Sequence, residues 1–365
     1  MKKTVLIRAN KEIKKSRPNL PSEQICQVFH TMQLLEITFL SKQCRYDSAG
    51  TCMMCDYGCF GDTCRTEIYV DEMKNILSAY NGQFECLLLS TNGSFMDEYQ
   101  IPSELYCSLL IEVGKFDIPE IDIETHYSSV TREKLQCLKD ILGSKKIAIE
   151  MGLETSNPRY QDCVIMKNID LLKFEKTILM IKEFNFNVEL NVMLGMPFLS
   201  DKEQLDDALN TVQWVYDRQC KPIIFLMNIK PFTLLSHMYD NGYYSPISHW
   251  LAIILIDSID VKKIDNLTVA WYGNREEPYQ GSKKRAVFPT SCPKCYDLIM
   301  AFYIAFNSCP NANERKLLIH GLKNSIHCNC YKSQLGKLKN IDTLAFEEKY
   351  EAYSNSLIKD FGGAN

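Results

Sequence analysis

The sequence has no apolar run long enough to cross a membrane. The longest, Trp250 to Ile256, falls far below the ~20 residues a spanning helix needs. No secretory leader is expected either: Met1 to Asn10 carries two lysines and a short apolar run that stops at Arg8, too little for a signal-peptide core. No segment is low-complexity. A basic excess is also lacking. The formal net charge is -4 and the pI near 6.0, which disfavours a chain that tracks nucleic-acid phosphates by itself. Two short basic runs, Lys11 to Arg17 and Lys283 to Arg285, read as solvated faces. The expectation is a cytosolic protein with no membrane partner, whose reducing surroundings keep disulfides out.

What the chain does have is cysteine, 16 in 365 residues. Cys86, Cys107, Cys137, Cys163 and Cys220 stand apart in apolar surroundings and read as small buried hydrophobes. The others cluster. Cys44, Cys52 and Cys55 form a C-x7-C-x2-C run directly after the strand-like stretch Leu34 to Leu40. Three close cysteines without an obvious fourth suit a 4Fe-4S cube with one iron left open, since a cube otherwise takes four thiolates. Zinc is the alternative, with Cys59 or Cys64 as the fourth ligand of a tetrahedral site.

A second group follows residue 290. Cys292 and Cys295 make a C-x2-C knuckle, and Cys328 and Cys330 follow His327 some thirty residues on. Tyr296 to Asn307 and Arg315 to Asn324 between them have helical spacing. Two pairs on a helical hairpin make a four-thiolate site, for zinc or for an auxiliary 4Fe-4S cluster. Cys309 and His327 are possible substitutes as ligands.

Between these groups, strands alternate with helices. Apolar runs at 34–40, 84–90, 118–124, 146–154, 187–195 and 221–228 are separated by amphipathic stretches. That order implies successive parallel βαβ units. Six strands are too few for a closed eight-stranded barrel. The predicted fold is α/β, a partial (β/α)6 TIM-like barrel at 34–240 with a small C-terminal helical metal-binding module at 288–365. An N-terminal extension (1–33) and a connecting region (241–287) complete it. Chemistry in such a fold sits in the loops at the carboxyl ends of the strands. Those loops hold the three cysteines, then Asn92-Gly93-Ser94, Glu124 to Tyr127, Gly152 to Arg159, Gly195 to Phe198 and Asn228 to Pro231. His126, Tyr127, Arg159 and Lys230 are polar residues there that could touch a substrate, His126 with an imidazole able to move a proton near neutral pH. Trp271 to Gly281 reads as a surface loop, and the tail after about Tyr353 as frayed.

The cysteine run with these loops resembles the radical S-adenosylmethionine (radical SAM) superfamily. The seven-residue first gap narrows the likeness to its Elongator-like members, and the run is most similar to the archaeosine synthase radical SAM subunit. Thr91-Asn-Gly-Ser-Phe-Met-Asp97, Gly152-Leu-Glu-Thr155 and Met196 to Glu203 add to it. The resemblance implies that Cys44, Cys52 and Cys55 bind a 4Fe-4S cluster whose open iron chelates SAM. Reductive cleavage then gives a 5'-deoxyadenosyl radical that takes hydrogen from a substrate. It implies cofactor contacts at Met54 (where an aromatic is usual), Tyr57, Asn92, Gly93, Ser94, Glu124, Glu154, Asn191 and Gly195, with His126 and Tyr127 as catalytic candidates. A flavodoxin- or ferredoxin-type electron donor goes with it. The expected substrate is a small molecule or peptide. The alternatives are tRNA, which the acidic balance disfavours, and a non-catalytic metal-binding barrel.

Overall fold

The computed structural model describes residues 2–17, 25–56, 66–143, 145–270, 272–273, 284–326, 328–339 and 344–362. Its centre is one eight-stranded sheet in the order β1 to β8. The strands are β1 (Cys26–His30), β2 (Leu34–Phe39), β3 (Cys86–Thr91), β4 (Glu120–Thr125), β5 (Lys146–Glu154), β6 (Asn187–Leu194), β7 (Lys221–Leu226) and β8 (Thr268–Ala270). Neighbours from β2 to β8 are parallel, and β1 lies antiparallel on the β2 edge. The six expected strands are all present as β2 to β7. The additions are the two edges. β8 has only three residues, and three of β1's five are exposed, so neither carries a strong apolar pattern.

Helices cover the outer face. α1 (Lys2–Lys14) precedes the sheet, and α2 (Arg45–Ser48) is one turn inside the cysteine loop. The barrel helices are α3 (Thr66–Tyr80), α4 (Ser103–Gly114), α5 (Arg132–Leu142), α6 (Pro158–Tyr160), α7 (Leu171–Glu183) and α8 (Asp201–Asp217). Beyond them come α9 (Leu234–Asp240), α10 (His249–Ser258), α11 (Pro293–Ser308), α12 (Ala312–Asn324), α13 (Cys330–Lys339) and α14 (Phe346–Phe361). Side chains cap two of these helices: Thr131 accepts from the Lys134 amide, and Ser200 with Glu203 makes a full capping box, satisfying amides that a helix start otherwise leaves unpaired.

Strand alternation decides what the barrel encloses. Leu35, Ile37, Phe39, Ile121, Ile123, Ile149, Leu190 and Val192 pack outward into the helix layer. Their neighbours Glu36, Asp122, Glu124, Glu150, Glu189 and Asn191 therefore point to the concave side, because successive side chains alternate between faces.

Two expectations about the ends are corrected. The tail is not frayed. α14 runs to Phe361 and buries Phe346, Tyr350, Tyr353 and Leu357 against Phe198, Leu234 and α1. Burial of each such side chain is worth about 1.5–3 kcal/mol. The basic run near residue 14 is not a solvated face either. The side chains of Lys14 and Arg17 are 9% and 6% exposed, and both pair with the fully buried Asp47 of the cysteine loop. No helix among the described residues is long and apolar enough to cross a membrane.

Candidate functional site

The loop from Leu40 to Asp56 crosses the carboxyl end of the parallel strands and carries Cys44, Cys52 and Cys55. α1 holds it from behind. Asn10 donates to the carbonyls of Gly50 (2.9 Å) and Cys52 (3.1 Å). Lys14 donates to the carbonyls of Asp47 and Cys52, both at 3.1 Å. Arg17 bonds the Asp47 carboxylate at 2.6 Å and the Cys55 carbonyl at 2.9 Å. Lys230 closes the far side on Asp56 at 2.7 Å. The segment expected to be a mere extension is thus the clamp of the loop. Its signal was present as two cations, Lys14 and Arg17, and an asparagine in and just after a helix, but the partner lay thirty residues on.

Burial raises the pKa of all three thiols and so opposes their ionisation: Cys52 is pushed up to about 12, Cys55 well above its usual range, and Cys44 upward. They ionise only against a positive charge or a metal, which deprotonates a coordinated thiol outright. One such charge is already there. Lys167, which sequence reading passed over, pairs with Glu154 and faces the thiols. Burial opposes its charge, but Glu154, Cys52 and Cys55 outweigh that and raise its pKa. Among the described residues, the only set of three or more metal-ligating side chains whose ligand atoms lie within 4.8 Å of one another is at the other cysteine group.

The neighbouring loops lock onto this one. Asn92 accepts from the Ser41 amide and hydroxyl, each at 3.0 Å. Ser94 shares a hydrogen bond with Thr125 at 2.7 Å and accepts from the His126 amide at 3.0 Å. Both side chains are therefore taken up by the scaffold. A Cβ on Gly93 would stand 2.4 Å from Gln100 Oε1 and 3.0 Å from Cys44 Cβ, so only glycine lets the two loops meet. Glu154 sits at a β-bulge with φ +66, and Gly152 leaves space for the Glu154–Lys167 pair. Glu124 accepts from Ser90. Asn191 bonds Glu150, and its side-chain oxygen has no partner.

Other candidates fall further out. Gly195, at φ +115, lies against Met227, Ile247 and Tyr244, whose hydroxyl donates to its carbonyl at 2.6 Å; close packing accounts for this glycine. Met54 belongs to the apolar cluster beneath α1. Tyr127 is turned into the helix layer, where its hydroxyl accepts from the Asp170 amide at 3.1 Å and its ring meets Phe174. Arg159 pairs with Glu347 and covers Phe346. Tyr57, Cys59 and Cys64 lie outside the described residues, as does most of 271–281. His126 keeps a buried Nε2 with no partner, while Nδ1 meets Ser128 Oγ at 2.8 Å. Burial, helped by Lys167 and Arg45, pushes its pKa down to about 3 and holds the ring neutral.

The lone cysteines are partly corrected. Cys220 is a buried hydrophobe. Cys107 and Cys137, however, bring their sulfurs to 2.9 Å across α4 and α5, and Cys86 donates to Asp122 at 3.3 Å.

At the C-terminal group Cys292, Cys295, Cys328 and Cys330 come together as expected. Sulfur separations are 3.5 Å (Cys292–Cys295), 3.8 Å (Cys292–Cys328) and 3.0 Å (Cys295–Cys328). Cys292 caps α11 and Cys330 opens α13, so two thiolates would face helix N-termini that favour negative charge. Cys330 and Cys295 lower the Cys292 thiol to about 7. Cys309 is outside the group, bonded to Asn311 and Glu314, and His327 is outside the described residues.

No protein-family model matches the chain. Archaeosine synthase subunit beta of Methanosarcina acetivorans is 26% identical over 226 residues, 61% of this chain and 65% of that protein. The match thus spans just under two thirds of the relative's length. Archaeosine synthase subunit beta of Thermococcus kodakarensis is 24% identical over 263 residues, 70% of this chain and 78% of that protein. The solved Methanocaldococcus infernus Elp3, lacking its residues 1-46, is 14% identical, with a TM-score of 0.45 over 65% of this chain and 57% of that one. By these comparisons the chain is similar to archaeosine synthase subunits beta, and its fold is a parallel α/β half-barrel.

Proposed function

We propose that the chain is a radical SAM enzyme in which Cys44, Cys52 and Cys55 hold a 4Fe-4S cluster and SAM lies over the strand ends beside them. The observation that carries this reading is the three-thiol loop itself. It sits at the carboxyl end of a parallel half-barrel, is clamped by Lys14 and Arg17, and faces the Lys167 cation. The donor set fits the group: three soft thiolates, a positive charge that offsets them, and a glycine that opens the adjoining loop. When bound, the cluster supplies the electron that splits SAM into methionine and a 5'-deoxyadenosyl radical.

The chain's own residues do the rest. Gly93 offers backbone to a ligand at the cysteine loop. Glu124 and Glu154 present carboxylates to the polar groups of SAM, and Lys167 holds Glu154 in place. Neutral His126 offers Nε2 as a hydrogen-bonding atom beside them. The fold's carboxyl-end loops exclude water from the reaction, as radical chemistry needs. For the substrate, the likeness to archaeosine synthase subunits favours tRNA over a small molecule or peptide, with a partner supplying the positive surface this acidic chain lacks. Anaerobic reconstitution tests the reading. We expect iron at the amino-terminal thiolates and 5'-deoxyadenosine on reduction with SAM, in larger amount when substrate tRNA is present. No iron there after reconstitution would leave only a scaffold.

For the second group we propose zinc. Thiolates at 2.3 Å from a tetrahedral ion stand about 3.8 Å apart, close to the separations of Cys292 from Cys295 and from Cys328, 3.5 and 3.8 Å. The thiolates of a cube bind four different irons and spread further. Cys292→Ala is expected to remove one zinc per chain and lower the melting temperature by about 3 °C or more, as a loss of roughly 2 kcal/mol does in a large chain, while SAM affinity changes less. Metal analysis and calorimetry check this. A variant that folds as well as the parent but no longer turns over would point instead to an electron-carrying cluster.

A further inference from the structure

Two thiols away from both cysteine groups meet across a helix seam. Cys107 on α4 and Cys137 on α5 bring their sulfurs to 2.9 Å. That separation is within about 0.9 Å of the ~2.05 Å of a disulfide bond. Both residues are half-buried, so a small reagent in solution reaches them. Cys295 and Cys328 are as close, at 3.0 Å, but there Cys292 and Cys330 complete a metal-binding set. Among the described residues, no third His, Cys, Asp or Glu joins Cys107 and Cys137 at metal-ligand distance. The chemistry that uses both sulfurs without a metal is two-electron oxidation to a disulfide.

The seam is held in place around them. Tyr106 donates to the Lys134 carbonyl at 3.3 Å, and Lys134 Nζ donates to the Met96 carbonyl at 2.5 Å. These bonds keep the two sulfurs within reach of one another. Burial and the Cys107 sulfur push the Cys137 thiol up to about 12. Cys137 therefore keeps its proton at neutral pH, and attack on an oxidant starts from Cys107. The Cys107 thiolate displaces one half of a small-molecule disulfide as a thiolate. Cys137 then passes its proton to that leaving group and displaces the other half. The S–S bond of the oxidant breaks and one between Cys107 and Cys137 forms. The chain loses two hydrogens and two electrons, and the oxidant becomes two thiols.

We propose that Cys107 and Cys137 are a reversible dithiol–disulfide site, which staples α4 to α5 when the protein meets a small disulfide oxidant such as glutathione disulfide. In reducing surroundings the pair rests as two thiols. The proposal stands apart from the radical reading, since it needs neither iron nor SAM. α4 and α5 follow the loops that hold Ser94 and His126, so the staple braces the strand ends behind the cysteine loop. The test incubates the full-length protein, metals bound, with glutathione disulfide without oxygen. The reaction is quenched by alkylation and mapped by mass spectrometry. The parent yields the peptide pair joined from Cys107 to Cys137, with no glutathione on either, and dithiothreitol restores both thiols. Cys137→Ser keeps one glutathione on Cys107, the intermediate caught for want of the second thiol. Oxidation raises the melting temperature of the parent by about 5 °C more than that of Cys137→Ser, the scale for a bridge between residues thirty apart in a chain of this size. Three results each overturn the proposal: both thiols still free when other cysteines of the chain are oxidised, as a packing contact alone would leave them; stable glutathione on either residue of the parent; or a bridge that brings no rise in melting temperature. Mapping of the parent needs no variant.

Discussion

Cys55→Ala is expected to abolish 5'-deoxyadenosine formation while the protein stays folded and soluble. The expectation combines two magnitudes. Losing one small buried side chain costs about 1 kcal/mol, the centre of the range for single substitutions. Losing a ligand from a three-thiolate site leaves two, too few to hold a cube and its open iron. The variant should therefore keep its melting transition and lose iron and SAM cleavage together. Iron and sulfide per chain, circular dichroism and product chromatography read the three quantities from one preparation. Cys59→Ala and Cys64→Ala are the controls and should retain cleavage. Cleavage at the parent rate in Cys55→Ala would remove the assignment of the amino-terminal cluster.

Asp47→Asn carries the largest expected effect on stability. Asp47 is fully buried and takes two cations, Lys14 and Arg17, whose side chains are themselves nearly buried. The pair of bonds from Arg17, at 2.6 and 3.4 Å, orients the carboxylate. Neutralising it leaves two positive charges in the interior without their counter-ion, a change that costs about 3–5 kcal/mol when a buried pair is broken. Urea unfolding measures the loss directly. Lys14→Met in the same background should recover part of it, since an apolar side chain of similar length removes one stranded charge. A loss under about 1 kcal/mol would mean that water reaches the clamp and screens it, as it does at exposed pairs.

The barrel was legible because its evidence is local and repeated. Leu34 to Phe39 and Cys86 to Thr91 are short apolar runs, and Thr131 and Ser200 announce the helices that follow. The cysteine pairs at 292–295 and 328–330 were legible for a similar reason: spacing limits what two thiols can reach together. What stayed hidden depends on distance along the chain. Lys14 and Arg17 look like any basic helix end until Asp47 is brought against them. Lys167 sits in an unremarkable stretch, Met166 to Asn168, and acquires its role only from Glu154 and the thiols. The acidic lining of the concave side is spread over several strands, one or two residues at a time, and only strand register joins it. Tyr127 shows the converse. Its position after a strand suggested chemistry, but a hydroxyl bonded to the Asp170 amide and a ring against Phe174 give it a structural task.

The clamp has a consequence for the order in which the protein matures. Residues 2–17 fasten the cysteine loop, Asn10 also accepts from the Leu234 amide, and α14 packs along α1. The clamp itself leaves the ribosome before the cysteine loop, but the segments that back it, Leu234 and α14, follow Cys52 by more than 180 residues. Contacts so distant in sequence form late. A nascent chain stalled before residue 346 would therefore carry the clamp of residues 2–17 without the α14 packing that backs it.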